Sequence, residues 1–138
     1  IKNGWLHTGD IGEITQEGNL RITDRKKEII VNLGGDNISP SKIENLLCLN
    51  EKIKQSFVYG DKKTFLSALV VSDSKENKKE IEFYIENLNK SLSLVEKVKK
   101  FKIIDQEFTI ENGMLTPTLK LKRKKILENY KEDLEKLY

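Results

Sequence analysis

The chain has 138 residues, of which 34% are charged, and its formal net charge is +3. This length suits one domain with a buried core, the single cysteine excludes an internal disulfide, and no run of 18 apolar residues is present that would span a bilayer. All of the net charge falls in residues 116–138, which hold seven Lys or Arg and four Asp or Glu. This local excess argues against a general polyanion-binding protein and for one basic element.

The sequence predicts short strands and helices separated by polar or glycine-containing turns. Apolar and polar residues alternate, or β-branched and aromatic residues cluster, in the predicted strands, and apolar residues recur at helical spacing in the predicted helices. In chain order the predicted elements are a β-hairpin of strands 12–15 and 19–23, a strand Ile29–Val31, a helix 40–49, a second hairpin of Ser56–Gly60 and Phe65–Val71, an amphipathic helix Lys75–Leu92, a short helix Leu94–Lys100, a strand Phe101–Ile104 and a last helix Lys122–Leu137. The predicted fold class is α+β, with an N-terminal β-hairpin followed by a small β-sheet packed with helices.

Several single residues have structural interpretations. Ser39 and Pro40 suit the N-cap and the first position of a helix, and Glu44 falls in the first turns of that helix, where we expect a structural role. Cys48 lies in an apolar helical stretch and is expected to be a small buried side chain. Trp5 is expected to anchor a core.

Two charged residues near the N-terminus have the chemistry of nucleotide contacts. Asp10 ends the segment WLHTGD, and an aspartate after glycine is ordinarily a turn residue. An ionised carboxylate can, however, accept hydrogen bonds from both hydroxyls of a vicinal diol such as ribose. Arg25 lies in a charged run that is ordinarily a solvated cluster, yet its fixed fork of donors suits ribose oxygens and phosphate.

Two later segments are ambiguous on residue grounds alone. Gly34 and Gly35 permit close backbone approach to a ligand, but they are not a P-loop, because no G-x-x-x-x-G-K-[ST] occurs. Lys120 belongs to a basic run, 120–125, that would ordinarily be a surface patch binding phosphates without specificity.

Three segments taken together resemble the carboxyl-terminal part of the adenylate-forming enzymes, and most closely the long-chain acyl-CoA synthetases. They are GWLHTGDIG at Gly4–Gly12, TDRKKEIIVNLGGDNISPSKIE at Thr23–Glu44 and NGMLTPTLKLKRKK at Asn112–Lys125. The P-T-x-K-x-K-R form of the third segment, in place of the S-G-K form of other branches, favours long-chain acids.

The resemblance implies a role for each candidate residue. Asp10 and Arg25 would hold the ribose of the nucleotide, and Lys120 would reach the substrate carboxylate and the α-phosphate, with Lys122 and Arg123 as runners-up. A second set of residues would serve domain motion and the second half-reaction: Lys27 as the hinge, with Asp24 and Lys26 as adjacent candidates, and Gly34 and Gly35 as the loop that lines the pantetheine tunnel.

The resemblance covers the whole chain but only about the last fifth of a typical family member. It implies that residues 1–26 end a large adenylation domain, up to the hinge, and that residues 27–138 form a mobile C-terminal domain. The parent would convert a fatty acid and ATP·Mg²⁺ to acyl-AMP, then transfer the acyl group to CoA, and this chain alone would be inactive. The expected partner is the missing N-terminal domain, with no metal site in this chain and no nucleic acid. The expected location is cytoplasmic, with peripheral membrane contact by the parent.

Two alternatives remain open. One is another adenylating branch, such as an aryl- or medium-chain acid–CoA ligase or an enzyme that loads a carrier protein. The other is a non-catalytic binding module whose basic last helix contacts RNA or acidic lipid. The balanced charge outside that helix and the lack of an aromatic-plus-basic surface pattern count against the binding module.

Overall fold

The computed structural model describes every residue from Ile1 to Tyr138. Short 3-10 turns lie at Lys26–Glu28, Lys75–Asn77 and Leu94–Glu96. The seven strands and three α-helices, in chain order, are β1 (Asp10–Ile14), β2 (Leu20–Arg25), β3 (Ile30–Val31), β4 (Asn37–Ile38), α1 (Pro40–Leu47), β5 (Gln55–Tyr59), β6 (Leu66–Val71), α2 (Lys78–Asn89), β7 (Val98–Ile104) and α3 (Arg123–Glu135). They form a β1–β2 hairpin, a small β3–β4 sheet and a three-stranded sheet in the order β5-β6-β7. The predicted α+β class is confirmed.

The central strand β6 organises the core of the domain. It runs antiparallel to β5 and parallel to β7, and all six of its residues are buried. Successive side chains of a strand point to opposite faces, so Leu66, Ala68 and Val70 pack into one apolar cluster, while Leu69 and Val71 pack into a second. Helices α1 and α2 cover the first cluster and α3 covers the second, which gives three layers.

The start of α1 matches its sequence signals. Ser39 is the N-cap, and its hydroxyl accepts a hydrogen bond from the Lys42 backbone N–H at 3.4 Å, while Pro40 occupies the first helical position. The helix ends at Leu47, two residues before the predicted end. None of the three α-helices combines the length and the hydrophobicity that a membrane-spanning helix requires.

The N-terminal hairpin lies outside the layered domain. The hairpin side chains Ile14, Leu20 and Ile22 are exposed, as are Leu6 and Trp5 in the segment before β1, with Trp5 74% exposed. The prediction that Trp5 anchors a core is therefore wrong for this chain, because no element of the chain packs against that side chain.

Two further predictions are wrong. Residues 94–100 do not form a helix: a single 3-10 turn ends at Glu96, and the chain then enters β7 at Val98. The reason is tertiary, since β7 pairs in parallel with buried β6 and Val98 itself is buried. Cys48 is exposed rather than buried, because Leu47 is the last side chain of α1 to enter the core and Cys48 follows it at the C-cap.

Two leucines in contrasting environments test this description of the core. Leu69 is fully buried, whereas Leu94 is 75% exposed. We expect Leu69→Ala to lower the free energy of unfolding by about 2–5 kcal/mol, because it removes buried methyl groups and leaves a cavity. Leu94→Ala, the matched control, should change it by less than about 0.5 kcal/mol. Urea denaturation of the two variants measures both values, and equal effects would contradict the assigned core.

Candidate functional site

An open cleft of about 750 Å³ lies between the hairpin and the layered domain. The hairpin side contributes Asp10 and residues 22–25, and the domain side contributes residues of α1, the start of β5 and the turn before α3. Three of the six residues singled out from the sequence, Asp10, Arg25 and Lys120, line this cleft. The other three, Lys27, Gly34 and Gly35, do not.

Asp10 and Arg25 form a pair across the open end of the hairpin. They are register partners, because both strands extend beyond the predicted 12–15 and 19–23. The Arg25 Nε lies 3.2 Å from Asp10 Oδ1, and its Nη1 donates to the Thr8 carbonyl oxygen at 3.3 Å. The two side chains are 58% and 30% exposed. An ion pair this accessible contributes at most about 1 kcal/mol, so both groups can exchange their mutual contact for a ligand.

Lys120 lies at the end of a tight turn that presents its side chain to solvent. Leu115 and Leu121 pair as an antiparallel bridge below the turn, and the Lys120 backbone N–H donates to Thr116 Oγ1 at 3.1 Å. Leu119 has a φ of +63°, a left-handed conformation that costs about 1–2 kcal/mol for a residue with a side chain. The Lys120 ammonium makes no ion pair or hydrogen bond with another residue, and it lines the cleft. This is a cation available to an anionic ligand.

Neither of the two alternative residues for the role of Lys120, Lys122 and Arg123, is a free cation that lines the cleft. Lys122 does not line the cleft. Arg123 does, but its Nη1 and Nη2 donate to Glu44 Oε1 and Oε2, each at 2.7 Å. Its guanidinium is therefore committed to Glu44 and is not free to serve a substrate.

The Glu44–Arg123 pair forms the floor of the cleft. Its side chains are only 8% and 18% exposed, and the Val58 backbone N–H also donates to Glu44 Oε1 at 2.9 Å. Burial raises the pKa of Glu44, and Arg123 and the Val58 N–H offset that rise only in part. Burial lowers the pKa of Arg123, but the hydrogen bonds and charge of Glu44 outweigh it, so the pKa is raised overall. The expected structural role of Glu44 agrees with this geometry, and its partner 79 positions away was not predictable from local pattern.

Arg123 also has one donor left over. Its Nε is buried without a hydrogen-bond partner, and Glu28 Oε2 of the 3-10 turn lies 3.9 Å away. The guanidinium therefore attracts the end of the linker between hairpin and domain without bonding to it.

That linker contains Lys27. The side chains of Lys26 and Lys27 are exposed, and the 3-10 turn is flanked by extended residues, Arg25 and Ile29. Asp24, the other adjacent hinge candidate, is in β2 and is buried. A hinge residue that keeps its side chain in water fits Lys26 or Lys27 and not Asp24.

The glycine pair forms a separate exposed loop between β3 and β4. Gly35 has a φ of +85°, where a side chain would be strained. Asn32 closes the loop, since its Oδ1 accepts from the Asp36 N–H at 2.8 Å, and the Leu33 N–H donates to the Lys63 carbonyl at 2.9 Å. The loop is thus a defined turn, held against the β5–β6 connection and distinct from the cleft.

The structure contains no cluster of three or more His, Cys, Asp or Glu side chains able to hold a metal ion. Cys48 lines the cleft, where its thiol lies 3.4 Å from Ser56 Oγ. Although the residue as a whole is exposed, partial desolvation of the sulfur against the cleft wall raises the pKa of this thiol.

The architecture is that of the small C-terminal region of adenylate-forming enzymes. It superposes on the adenylation domain of a carboxylate reductase from Mycobacterium chelonae with a TM-score of 0.88 and 28% identity, over 100% of this chain and 24% of that one. O-succinylbenzoate coenzyme A synthetase from Bacillus subtilis, solved with AMP, gives a TM-score of 0.68 and 28% identity, over 90% of this chain and 24% of that one.

Residues 27–138 match the family model of the AMP-binding enzyme C-terminal domain, and the chain belongs to this family. Among curated relatives, long-chain-fatty-acid–CoA ligase FadD15 of Mycobacterium tuberculosis is 36% identical over 160 aligned positions, covering 99% of this chain and 27% of the relative. The chain thus spans about a quarter of the length of the curated relatives it matches.

The buried ion pair gives a direct test of the cleft floor. Glu44→Ala should lower the free energy of unfolding by about 3–5 kcal/mol, because it leaves the Arg123 charge buried without its partner. Glu107→Ala removes a carboxylate that pairs with Lys54 in partial contact with solvent, and it should cost no more than about 1 kcal/mol. Thermal and urea unfolding of both variants measure the difference, and a Glu44→Ala effect as small as the control's would refute the buried pair.

Proposed function

We propose that this chain is the C-terminal part of an AMP-forming long-chain fatty acid–CoA ligase. One observation carries the proposal: a carboxylate–guanidinium pair, Asp10 and Arg25, lines the same cleft as a free lysine, Lys120. The residues suit an anionic nucleotide that has a ribose diol, and the family match supports this interpretation. The activity belongs to the full-length parent, whose substrates would be a fatty acid, ATP with Mg²⁺, and CoA.

In the proposed first half-reaction, the fatty acid carboxylate attacks the α-phosphate of ATP and pyrophosphate leaves. Asp10 would accept hydrogen bonds from the ribose hydroxyls, and Arg25 would donate to ribose or phosphate oxygens. Lys120 would lie between the two reacting anions, where a cation reduces their repulsion and stabilises the charge that develops on the phosphate.

In the proposed second half-reaction the CoA thiol, losing its proton, attacks the acyl carbon of acyl-AMP; the thioester bond forms as the acyl–phosphate bond breaks and AMP leaves. Gly34 and Gly35 lie on a loop away from the cleft, so one fixed orientation of the domain cannot present both Lys120 and this loop to the same acyl-AMP. Rotation about Lys27, in the exposed 3-10 turn, would bring them there in sequence. Gly35 suits this role, because a residue without a side chain allows the pantetheine arm to approach the backbone closely.

The identity of the acyl acceptor is the main alternative. The similarity to a carboxylate reductase adenylation domain extends over the whole chain, and a related structure joins such a domain to a PCP domain. This observation favours a carrier-protein-loading enzyme as the second candidate. Incubation of the full-length protein with acid and ATP, with either CoA or a phosphopantetheinyl carrier protein as acceptor, distinguishes the two by which thioester forms.

Pyrophosphate exchange by the full-length protein tests the reaction and its substrate class. With acids from acetate to palmitate and several aryl acids, we expect ATP–pyrophosphate exchange to be greatest for long chains. A maximum with aryl or short acids would support the adenylation reaction but contradict the long-chain substrate class. No exchange with any acid would contradict the proposed activity itself.

Separate measurement of the half-reactions tests the residue roles. Lys120→Ala should slow adenylation by about 10²–10³-fold, the usual effect of removing one such electrostatic contact, while transfer from preformed acyl-AMP to CoA continues. Gly35→Val should slow transfer from acyl-AMP to CoA while adenylation continues, because the valine side chain would be strained at the positive φ of this position and would obstruct the glycine loop. Lys125→Ala, in the same basic run but outside the cleft, is the matched control for both. Equal loss of both half-reactions in Lys120→Ala would contradict its assignment.

A further inference from the structure

Asp24 is the one buried residue among the first 29. It is 7% exposed, while its neighbours in the hairpin are open to solvent. A carboxylate is among the groups least often buried without a partner, so its position in an otherwise exposed hairpin requires a specific contact.

That contact reaches across the linker to the N-terminus of α1. The Ser39 hydroxyl donates to Asp24 Oδ2 at 2.6 Å, and the Ser41 hydroxyl lies 3.4 Å from Oδ1. Oδ1 also accepts from the Arg25 backbone N–H at 2.8 Å. The bond from Ser39 is short, as expected for a hydroxyl donating to an ionised carboxylate, and α1 adds the partial positive charge of its N-terminus.

No other hydrogen bond or ion pair joins the hairpin to the domain. The remaining side-chain contacts of residues 1–25 stay within the N-terminal region, as in Arg25–Asp10, Arg21–Glu13 and Thr23 to the Ile11 carbonyl. The backbone bond from Lys26 N–H to the Gly9 carbonyl also stays on that side. Asp24 is therefore the single polar tether between the two bodies that enclose the cleft.

We propose that Asp24 is a positioning residue, which binds Ser39 and Ser41 and so holds the hairpin in the orientation where Asp10 and Arg25 share a cleft with Lys120. The consequence for catalysis rests on the proposed function: the tether would favour the adenylation orientation. Rotation about the linker must break both serine contacts, since Asp24 precedes the linker and the serines follow it. Ser39 would remain the N-cap of α1 through Lys42 N–H, so breaking the tether would leave the domain folded.

Residual dipolar couplings in the 138-residue chain test the tether directly. In the wild-type chain, amide couplings of residues 10–25 and of residues 40–138 should fit one alignment tensor. In Asp24→Ala they should require two, with weaker alignment of the hairpin, while the amide spectrum of the domain stays unchanged. Arg21→Ala, which removes only an exposed contact within the hairpin, should keep the single tensor.

A pair of substitutions at Ser39 separates tethering from folding. Ser39→Gly removes the hydroxyl while retaining a residue tolerated at the N-cap, and it should lose the common tensor as Asp24→Ala does. Ser39→Thr keeps a hydroxyl and should retain the common alignment tensor. A single tensor in both Asp24→Ala and Ser39→Gly would overturn the proposal, as would two tensors in the wild-type chain.

These measurements need no catalytic activity, so their outcome is independent of the proposed function. In the full-length protein, Asp24→Ala should slow pyrophosphate exchange more than transfer from acyl-AMP to CoA. Equal slowing of both half-reactions would overturn the link between the tether and adenylation, whatever the dipolar couplings show.

Discussion

The buried ion pair between Glu44 and Arg123 is the interaction on which the cleft depends. Glu44 belongs to α1, on one face of the central sheet, and Arg123 begins α3, which covers the other face. Two bonds of 2.7 Å, with a third from the Val58 N–H of β5, join both helices at the edge of the sheet. Arg123 is three positions after Lys120, so the pair also fixes where the turn that carries Lys120 leaves the domain. Loss of either partner would leave the other charge buried without a counter-charge.

Much of this fold could be predicted from local pattern because the deciding interactions are local. Ser39 and Pro40 identify the start of α1 by N-cap chemistry, and Leu66 to Val71 identify β6 as a buried apolar run. The interactions that pattern missed are long-range. The pairing of β7 with β6 extends the strand back to Val98, where local propensity favoured a helix. Cys48 is exposed because it lies at the C-cap of α1, beyond the last side chain that this helix places in the core. For the candidate site, the sequence singled out Asp10, Arg25 and Lys120, and the structure places all three along one cleft. Local pattern could not indicate the contact of Asp24 with Ser39, which joins residues on opposite sides of the linker.

The separation of the candidate residues into two groups has a physical consequence. Lys120 lines the cleft, whereas Gly34 and Gly35 form a loop held against the β5–β6 connection. Both groups are carried by a domain whose core is continuous through β6, so neither can move far relative to the other. The proposed change in which group meets the nucleotide would therefore occur at the linker, where Lys26–Glu28 make a single 3-10 turn. Because the domain is internally rigid, it can present a different group only by turning as a whole about the linker.

The two polar contacts around the cleft differ in strength in the way that such a movement requires. Glu44–Arg123 is bidentate and nearly excluded from water, and both partners follow the linker, so rotation would leave it intact. Asp24 is bound through one short bond and one long bond to hydroxyl groups, and water can replace a hydroxyl as a donor to a carboxylate. The exposed apolar side chains of residues 1–25, including Trp5 and Ile22, provide a surface that a neighbouring domain of the parent could cover. In that setting the hairpin would be fixed to the larger body, and exchange of the Asp24 contacts would decide when the small domain turns.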